Sequence, residues 1–148
     1  MSSVVAPQAS RIFLLSPAHC GGKRAKQILS PGATFPLAEQ LRSKQGARLG
    51  DVFSFVSGLY FRGKLTYARR FAAPDHPAAP GVHIITANAG LREPDTFITL
   101  KALLAFADGE VDSSNARYRR PLERSARALA AEIGPDCEVV LLGSVASP

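Results

Sequence analysis

Apolar residues gather along this chain into three short runs, Arg11–Leu15, Val82–Ala87 and Glu138–Leu142, each rich in Val, Ile, Leu or Phe and bounded by Gly, Pro or Ser. Continuous runs of this length predict β-strands covered on both faces, the pattern of a parallel sheet. Between them the apolar spacing changes to the helical period. Lys23–Leu29 reads as a short helix opening after Gly21-Gly22. Pro36–Gln45 reads as a helix with Pro36 in its first turn, Leu37 and Leu41 at helical spacing and Gly46 as C-cap. Asp51 is placed to cap a short segment through Val56. Tyr60–Ala72 puts Phe61, Leu65, Ala68 and Ala72 on one stripe, with Arg62 and Arg69 on another. Thr99–Ala107 predicts a helix with Thr99 as N-cap. Arg117–Ile133 is the longest, with Tyr118, Leu122, Ala126, Leu129 and Ile133 as its apolar stripe and Pro121 near its first turn.

Strands separated by helices predict an α/β fold: a mostly parallel sheet with β-α-β connections and flanking helices. Residues 11–148 read as a single domain behind a disordered lead, 1–10. A linker at Ala73–Gly81, with Pro74, Pro77, Pro80 and Gly81, interrupts the regular elements inside it. Three strands make a thin sheet. The pattern therefore expects either a further strand around Val52–Val56 or, by preference, the N-terminal portion of a longer domain.

Composition narrows the class. With 148 residues, 46% hydrophobic and 20% charged, the chain has the make-up of a soluble globular protein with a core of its own. No apolar run approaches the roughly 18 residues of a membrane span, and Met1–Ser10 lacks the basic and apolar regions of a secretory signal. A cytoplasmic location and no membrane partner are expected. Cys20 and Cys137 then read by preference as free thiols in a reducing compartment, with one disulfide between them as the alternative. No Cys-x-x-Cys or His-x-x-x-His spacing occurs, so no metal is expected and no cofactor is indicated.

Charge changes the picture more. Eighteen Lys/Arg against twelve Asp/Glu give +6, but residues 1–72 hold eleven bases and two acids, while residues 73–148 hold seven bases and ten acids. The first half is thus strongly cationic. Its first partner to consider is a polyanion: a nucleic acid or a phosphate-bearing small molecule.

In open α/β sheets ligands bind beyond the carboxyl ends of strands, which points to the loops Ser16–Gly22, Asn88–Asp95 and Gly143–Ser147. The first continues into Lys23 and Arg24. Its Gly-Gly pair opening a helix, with cations behind, fits phosphate contact by Ser16, His19, Gly21, Gly22, Lys23, Arg24 and Lys26. It is not a Walker A loop, because Pro17 stands at that motif's first Gly and Arg24 at its Ser/Thr. The alternative is a loop whose glycines only serve a tight turn. Cys20, near a helix N-terminus and cations, is a candidate nucleophile, set against the ordinary role of a free cysteine as a small buried hydrophobe. In the second loop Gly90 offers close backbone approach to phosphate. Glu93 and Asp95 there are candidate acid–base groups; alternatively Pro94-Asp95 shapes a turn and Asp95 caps the segment after it. His83 reads as a packed strand histidine and His76 as a solvated one. Arg62, Lys64, Arg69 and Arg70 line one helix, and Arg117, Arg119, Arg120, Arg124 and Arg127 another. Such runs ordinarily form solvated helix faces, but the first set lies beside Tyr60, Phe61 and Tyr67, aromatic residues suited to base stacking, with a core position the alternative for Phe61. No helix-turn-helix, zinc-finger or RNP signature is present, so binding would be read through phosphates.

Two motifs resemble a known family. Ile12-Phe-Leu-Leu-Ser-Pro-Ala18 is similar to the N-terminal strand and Ser-Pro-Ala-Lys motif of the YaaA peroxide-stress proteins. Ile84-Ile-Thr-Ala-Asn-Ala-Gly-Leu-Arg-Glu-Pro-Asp-Thr96 resembles that family's strand followed by Tyr-Gly-x-Leu-x-Pro-x-Asp. It is closer to related uncharacterised domains, which also carry a helix resembling Tyr60–Arg69 before that strand. The matches span residues 11–107 in the same order. The resemblance implies an α/β fold, a cytoplasmic location and DNA binding with a role in limiting oxidative damage, without a settled reaction. Ser16, Pro17, Gly90, Leu91, Pro94 and Asp95 match the motifs. His19 stands in place of the motif's Lys and Ala89 in place of its Tyr, which puts any function of that Lys in doubt unless Lys23 substitutes.

The expected function is a cytoplasmic nucleic-acid-associated domain binding DNA or another phosphate-bearing ligand, in stress response or defence. One alternative is an enzyme acting on a nucleotide, nucleoside or modified base, hydrolase- or glycosylase-like, with Asp95 as its acid–base group. The other is a non-catalytic portion of a larger protein.

Overall fold

A computed structural model describes residues 10–75 and 79–143. His76 and the Gly143–Ser147 loop beyond Gly143 therefore lie outside the described residues, as does the lead up to residue 9. Ser10 does not belong to a disordered lead: it is buried, and its carbonyl accepts a hydrogen bond from the Glu138 amide at 2.9 Å.

The main sheet has four strands in the order β4-β3-β1-β6, formed by β1 (Arg11–Leu15), β3 (Val82–Ile85), β4 (Leu91–Arg92) and β6 (Glu138–Leu142). β1 is central, pairing in parallel with β3 on one side and β6 on the other, and only β4 is antiparallel. A short antiparallel pair, β2 (Ala47–Arg48) with β5 (Phe97–Ile98), forms a separate two-stranded sheet. The helices are α1 (Lys23–Leu29), α2 (Pro36–Arg42), α3 (Leu49–Ser57), α4 (Leu59–Phe71), α5 (Leu100–Asp108) and α6 (Ala116–Ile133).

The two faces of the sheet are covered unequally. Parallel neighbours in register point the same way, so Phe13, Val82 and Val140 share one face with Leu15, Ile84 and Leu142. That face meets the main core, where α1, α3, α4 and α5 contribute Ile28, Val52, Phe53, Phe61, Leu65, Leu103 and Phe106. The Phe53 ring packs edge-on against Phe61 and Phe106. The other face carries Ile12, Leu14, His83 and Ile85, beside Val139 and Leu141 of β6. Val139 and Leu141 remain 47% and 46% exposed, so β6 is not covered on both faces as its apolar run predicts. α6 likewise buries no residue completely. Tyr118, Leu122, Leu129 and Ile133 are half-buried and Ala126 is exposed, so its stripe is a loosely applied face.

Several boundaries move for identifiable reasons. No strand forms at Val52–Val56; those residues lie in α3, and the fourth strand is β4 instead. Asp51 does not cap α3. The amides of Leu49 and Gly50 donate to the carbonyls of Thr96 and Pro94, so the 94–96 segment satisfies the helix start without a side chain. α2 stops at Arg42, whose guanidinium turns back to the carbonyls of Ala38, Ile28 and Ser30, and Gly46 instead serves the turn into β2. Thr99 does cap α5, accepting from Ala102 N at 3.3 Å. Asn115 caps α6 one residue earlier than expected, which puts Pro121 beyond the first turn.

The run Val82–Ala87 ends as a strand at Ile85 because Thr86 opens a tight hairpin. Thr86 N and Oγ1 both donate to the Gly90 carbonyl, at 3.0 and 2.7 Å, and Ala89 N donates to Thr86 Oγ1 at 2.9 Å. Gly90 closes it at φ +68°, and α6 lies so close that a Cβ there would overlap Ser125 Oγ and the Pro121 carbonyl. Gly90→Ala therefore combines left-handed strain with a backbone clash and should lower unfolding free energy by about 2–3 kcal/mol in urea titration. Gly63→Ala, at an exposed position of α4 with nothing within 4 Å, should raise it by about 0.5–1 kcal/mol.

Candidate functional site

β1 delivers its carboxyl end to a loop, Ser16–Gly22, that forms one wall of a cleft of about 580 Å³. The volume lies within the range of about 300–1,000 Å³ typical of small-molecule sites. Phe53, Ala87 and Phe106 make the apolar floor; Gly109, Glu110, Val111 and Asp112, between α5 and α6, make the opposite wall. Asp112 accepts from the amide and hydroxyl of Ser114, and these bonds hold its carboxyl below the usual carboxylate range. That wall is therefore anionic at neutral pH.

Ser16 has one specific partner. Lys64, in the middle of α4, donates to Ser16 Oγ at 2.6 Å and to the Ser16 carbonyl at 3.3 Å. Its Nζ sits 5.4 Å and 5.3 Å from the ring centres of Tyr60 and Phe61, and burial lowers its pKa from the ordinary lysine value. The Ser16 amide donates to the Leu142 carbonyl, which ties the serine to the end of β6. A Cβ at Gly143 would overlap Ser16 Oγ and Cβ, so only glycine lets the two strands' ends lie this close.

The sequence-predicted residues scatter more widely than one strand-end site. Ser16, His19 and Gly21 line the cleft, with the exposed His19 ring lying over Gly21. Gly22 is the N-cap of α1 and Lys23 is exposed at its first position. Arg24 turns away, its guanidinium 3.5 Å from the Phe55 carbonyl and against Gly58. Lys26 borders a different hollow with Phe35 and Phe55. Gly90 is buried under α6, so it offers its backbone to the hairpin and the helix, with no room for a phosphate.

Glu93 and Asp95 do not reach the cleft. The hairpin at residues 86–90 reverses the chain, so β4 carries them back from the carboxyl end of β3. Asp95 is 74% exposed and faces Arg69 at 3.3 Å and Arg48 at 3.9 Å, while the Glu93 carbonyl accepts from Thr96 N. Neither carboxylate therefore shares a strand-end pocket with the Ser16–Gly22 loop, contrary to the sequence expectation. His83 is buried with Nε2 3.2 Å from the Pro80 carbonyl, as a packed histidine should be. Its pKa is lowered, chiefly by that burial.

The surroundings of Cys20 are the opposite of those a candidate nucleophile needs. The thiol points to the Ala18 carbonyl at 3.5 Å and packs against the main core, and burial pushes its pKa up to about 11 rather than down. It and Cys137 are both free thiols. Among the described residues no three His, Cys, Asp or Glu side chains are grouped to hold a metal ion, and no helix is long and apolar enough to cross a membrane.

α4 carries a second surface. Its inner side buries Phe61, Leu65 and Ala68, as the apolar stripe predicts. Its outer side leaves Leu59 80%, Tyr60 69% and Tyr67 51% exposed, with Phe71 43% exposed at its end. Arg62 and Arg70 border the same shallow groove as Leu59, Gly63, Tyr67 and Phe71, and Arg70 lies 5.8 Å from the Phe71 ring centre. Phe61 belongs to the core, and Lys64 is shared between Ser16 and the ring of Tyr60.

The residues missed by sequence reasoning are the cleft's floor and far wall. Phe53 and Phe106 carry only the apolar periodicity of any core residue. Glu110 and Asp112 come after a predicted helix in a stretch with no motif; their one signal is a local pair of acids after Gly109. No family model, curated protein or solved structure matches this chain.

The thiol's burial predicts its reactivity. A rise from 9.0 to about 11 leaves roughly a hundredfold less thiolate at neutral pH. In a Cys137→Ser variant, iodoacetamide should alkylate Cys20 about a hundred times more slowly than a free cysteine peptide. Unfolding in urea should restore the peptide rate.

Proposed function

We propose that this α/β domain binds single-stranded nucleic acid along the outer face of α4, stacking bases on Tyr60, Tyr67 and Phe71 and pairing phosphates with Arg62 and Arg70. The observation that carries this reading is the shallow groove in which the exposed Tyr67 and Phe71 rings lie with Arg62 and Arg70, with the exposed Tyr60 ring on the same helix. Aromatic faces in water are costly to leave uncovered, and a base offers each a flat partner without sequence preference. Arg62 and Arg70 have no carboxylate partner among the described residues, whereas Arg69 and Arg48 are engaged by Asp95. Tyr60 and Tyr67 lie seven residues apart, about 10 Å along the helix, a span suited to successive unstacked nucleotides. A duplex hides its base faces, so the rings favour a single strand. The cationic bias of residues 1–72 and the DNA binding implied by the YaaA-like motifs support the same class of ligand. A cytoplasmic role in stress response rests on those motifs alone.

Fluorescence anisotropy with a labelled oligothymidine tests the reading. Affinity should fall steeply with salt, and log Kd against log salt should flatten by about 1.4 in Arg62→Ala/Arg70→Ala, since each phosphate contact on a single strand contributes about 0.7. Tyr60→Ala should weaken binding by about 1–3 kcal/mol at every salt concentration with the slope unchanged. No binding at low salt, or equal binding by the wild type and a Tyr60→Ala/Arg62→Ala/Arg70→Ala variant, overturns it.

A further inference from the structure

We infer that Ser16 and Lys64 form a nucleophile–base pair that hydrolyses acyl esters in the cleft at the carboxyl end of β1. This activity goes beyond nucleic-acid binding and stands or falls without it. Three observations carry it. First, Lys64 Nζ lies 2.6 Å from Ser16 Oγ, the distance at which a hydroxyl proton can pass to an amine. Second, among the described residues Lys64 has no carboxylate partner, and it is half-buried beside the Tyr60 and Phe61 rings. A lysine so placed is easier to hold as the neutral amine that a base must be, and its lowered pKa agrees. Third, Ser16 lines a cleft of about 580 Å³ with a floor of Phe53, Ala87 and Phe106.

The charge of the cleft selects the substrate class. Glu110 and Asp112 oppose the Ser16 loop and repel a phosphate or carboxylate, so the occupant is an uncharged or cationic ester with an apolar acyl group. Among the described residues the amides of Ala18, His19 and Cys20 donate to no acceptor, which leaves donors in the same loop for a developing oxyanion. Neutral Lys64 Nζ accepts the Ser16 hydroxyl proton as Oγ bonds to the ester carbonyl carbon, and the carbonyl π pair moves onto oxygen. When that oxyanion collapses, the bond to the alcohol oxygen breaks and Nζ returns the proton to the departing alcohol. Water then attacks acyl-Ser16 with Lys64 again taking the proton. Collapse releases the carboxylic acid and gives that proton back to Oγ. One ester and one water become one acid and one alcohol, with no change of oxidation state.

The whole chain, incubated with p-nitrophenyl acetate, tests the pair. Turnover is expected, with a rate that rises with pH to an inflection below the ordinary lysine value of 10.5. Ser16→Ala and Lys64→Arg should each lower kcat/KM at least about 100-fold. Lys44→Ala, an exposed lysine outside both sites, should leave it unchanged. Arginine keeps the charge and the hydrogen-bond donors of Lys64 but cannot serve as base, so a Lys64→Arg protein that melts with the wild type yet has lost turnover separates chemistry from a structural contact. Retained turnover in that variant overturns the proposal. Acid-quenched wild-type protein, digested and mapped by mass spectrometry, decides the matter even where a variant does not fold. An acetyl group on Ser16 supports the pair, and acetylation confined to surface lysines overturns it.

Discussion

The parallel pairing of β1 on both sides is the constraint on which the other features depend. A strand with a neighbour on each edge has its backbone groups engaged on both sides, which fixes its position and direction. Phe13 and Leu15 are thereby aimed into the main core, and Ile12 into the opposite face. The next residue, Ser16, inherits that rigidity through the hydrogen bond its backbone N–H donates to the Leu142 carbonyl. A loop of small residues leaves the sheet there and faces Phe53 of α3, Phe106 of α5 and the α5–α6 connection. The cleft is a consequence of that geometry, since no single side chain can fill the space where parallel strands stop together.

How much was legible depends on whether the determining contacts are local. β1, β6 and α1 were read with their observed bounds because each is a short apolar or helical run ended by Gly, Pro or Ser. The buried side of α4 was equally plain from Phe61, Leu65 and Ala68. β2, β4 and β5 span two residues each, too few to show a period. The hairpin between β3 and β4 is set by the Thr86 hydroxyl and by the approach of α6 to Gly90, a contact between residues more than thirty positions apart. Missing that turn misplaced Glu93 and Asp95. The stripe of α6 was visible, but its depth of burial was not, because periodicity records which side faces inward and not what waits there.

The charge bias tells a similar story about the candidate sites. Eleven bases in residues 1–72 suggested one cationic face. In the fold they divide among different tasks: Arg42 closes carbonyls at the ends of α1 and α2, Arg48 and Arg69 share Asp95, and Lys64 turns to Ser16. Arg62 and Arg70 line the groove beside Tyr67 and Phe71 on α4. The sequence marks Ser16 by its loop and Lys64 by its charge run, yet nothing in a one-dimensional pattern joins residues separated by 48 positions. Their union needs α4 to lie across β1, which depends on the same core that seats Phe61 and Leu65.

β6 bears on how this molecule behaves in company. It is an outer strand of the described sheet, with Val139 and Leu141 half in water and one charged residue, Glu138. Outer strands usually discourage their own kind with unpaired charges, prolines or bulges. Here the lone carboxylate is already engaged by Arg11 Nε at 3.0 Å. Electrostatic protection along this margin is thus nearly spent inside the fold, and colloidal stability rests on the net charge of +6 carried elsewhere. Added salt screens that charge and leaves the apolar margin of β6 less protected against contact with another copy.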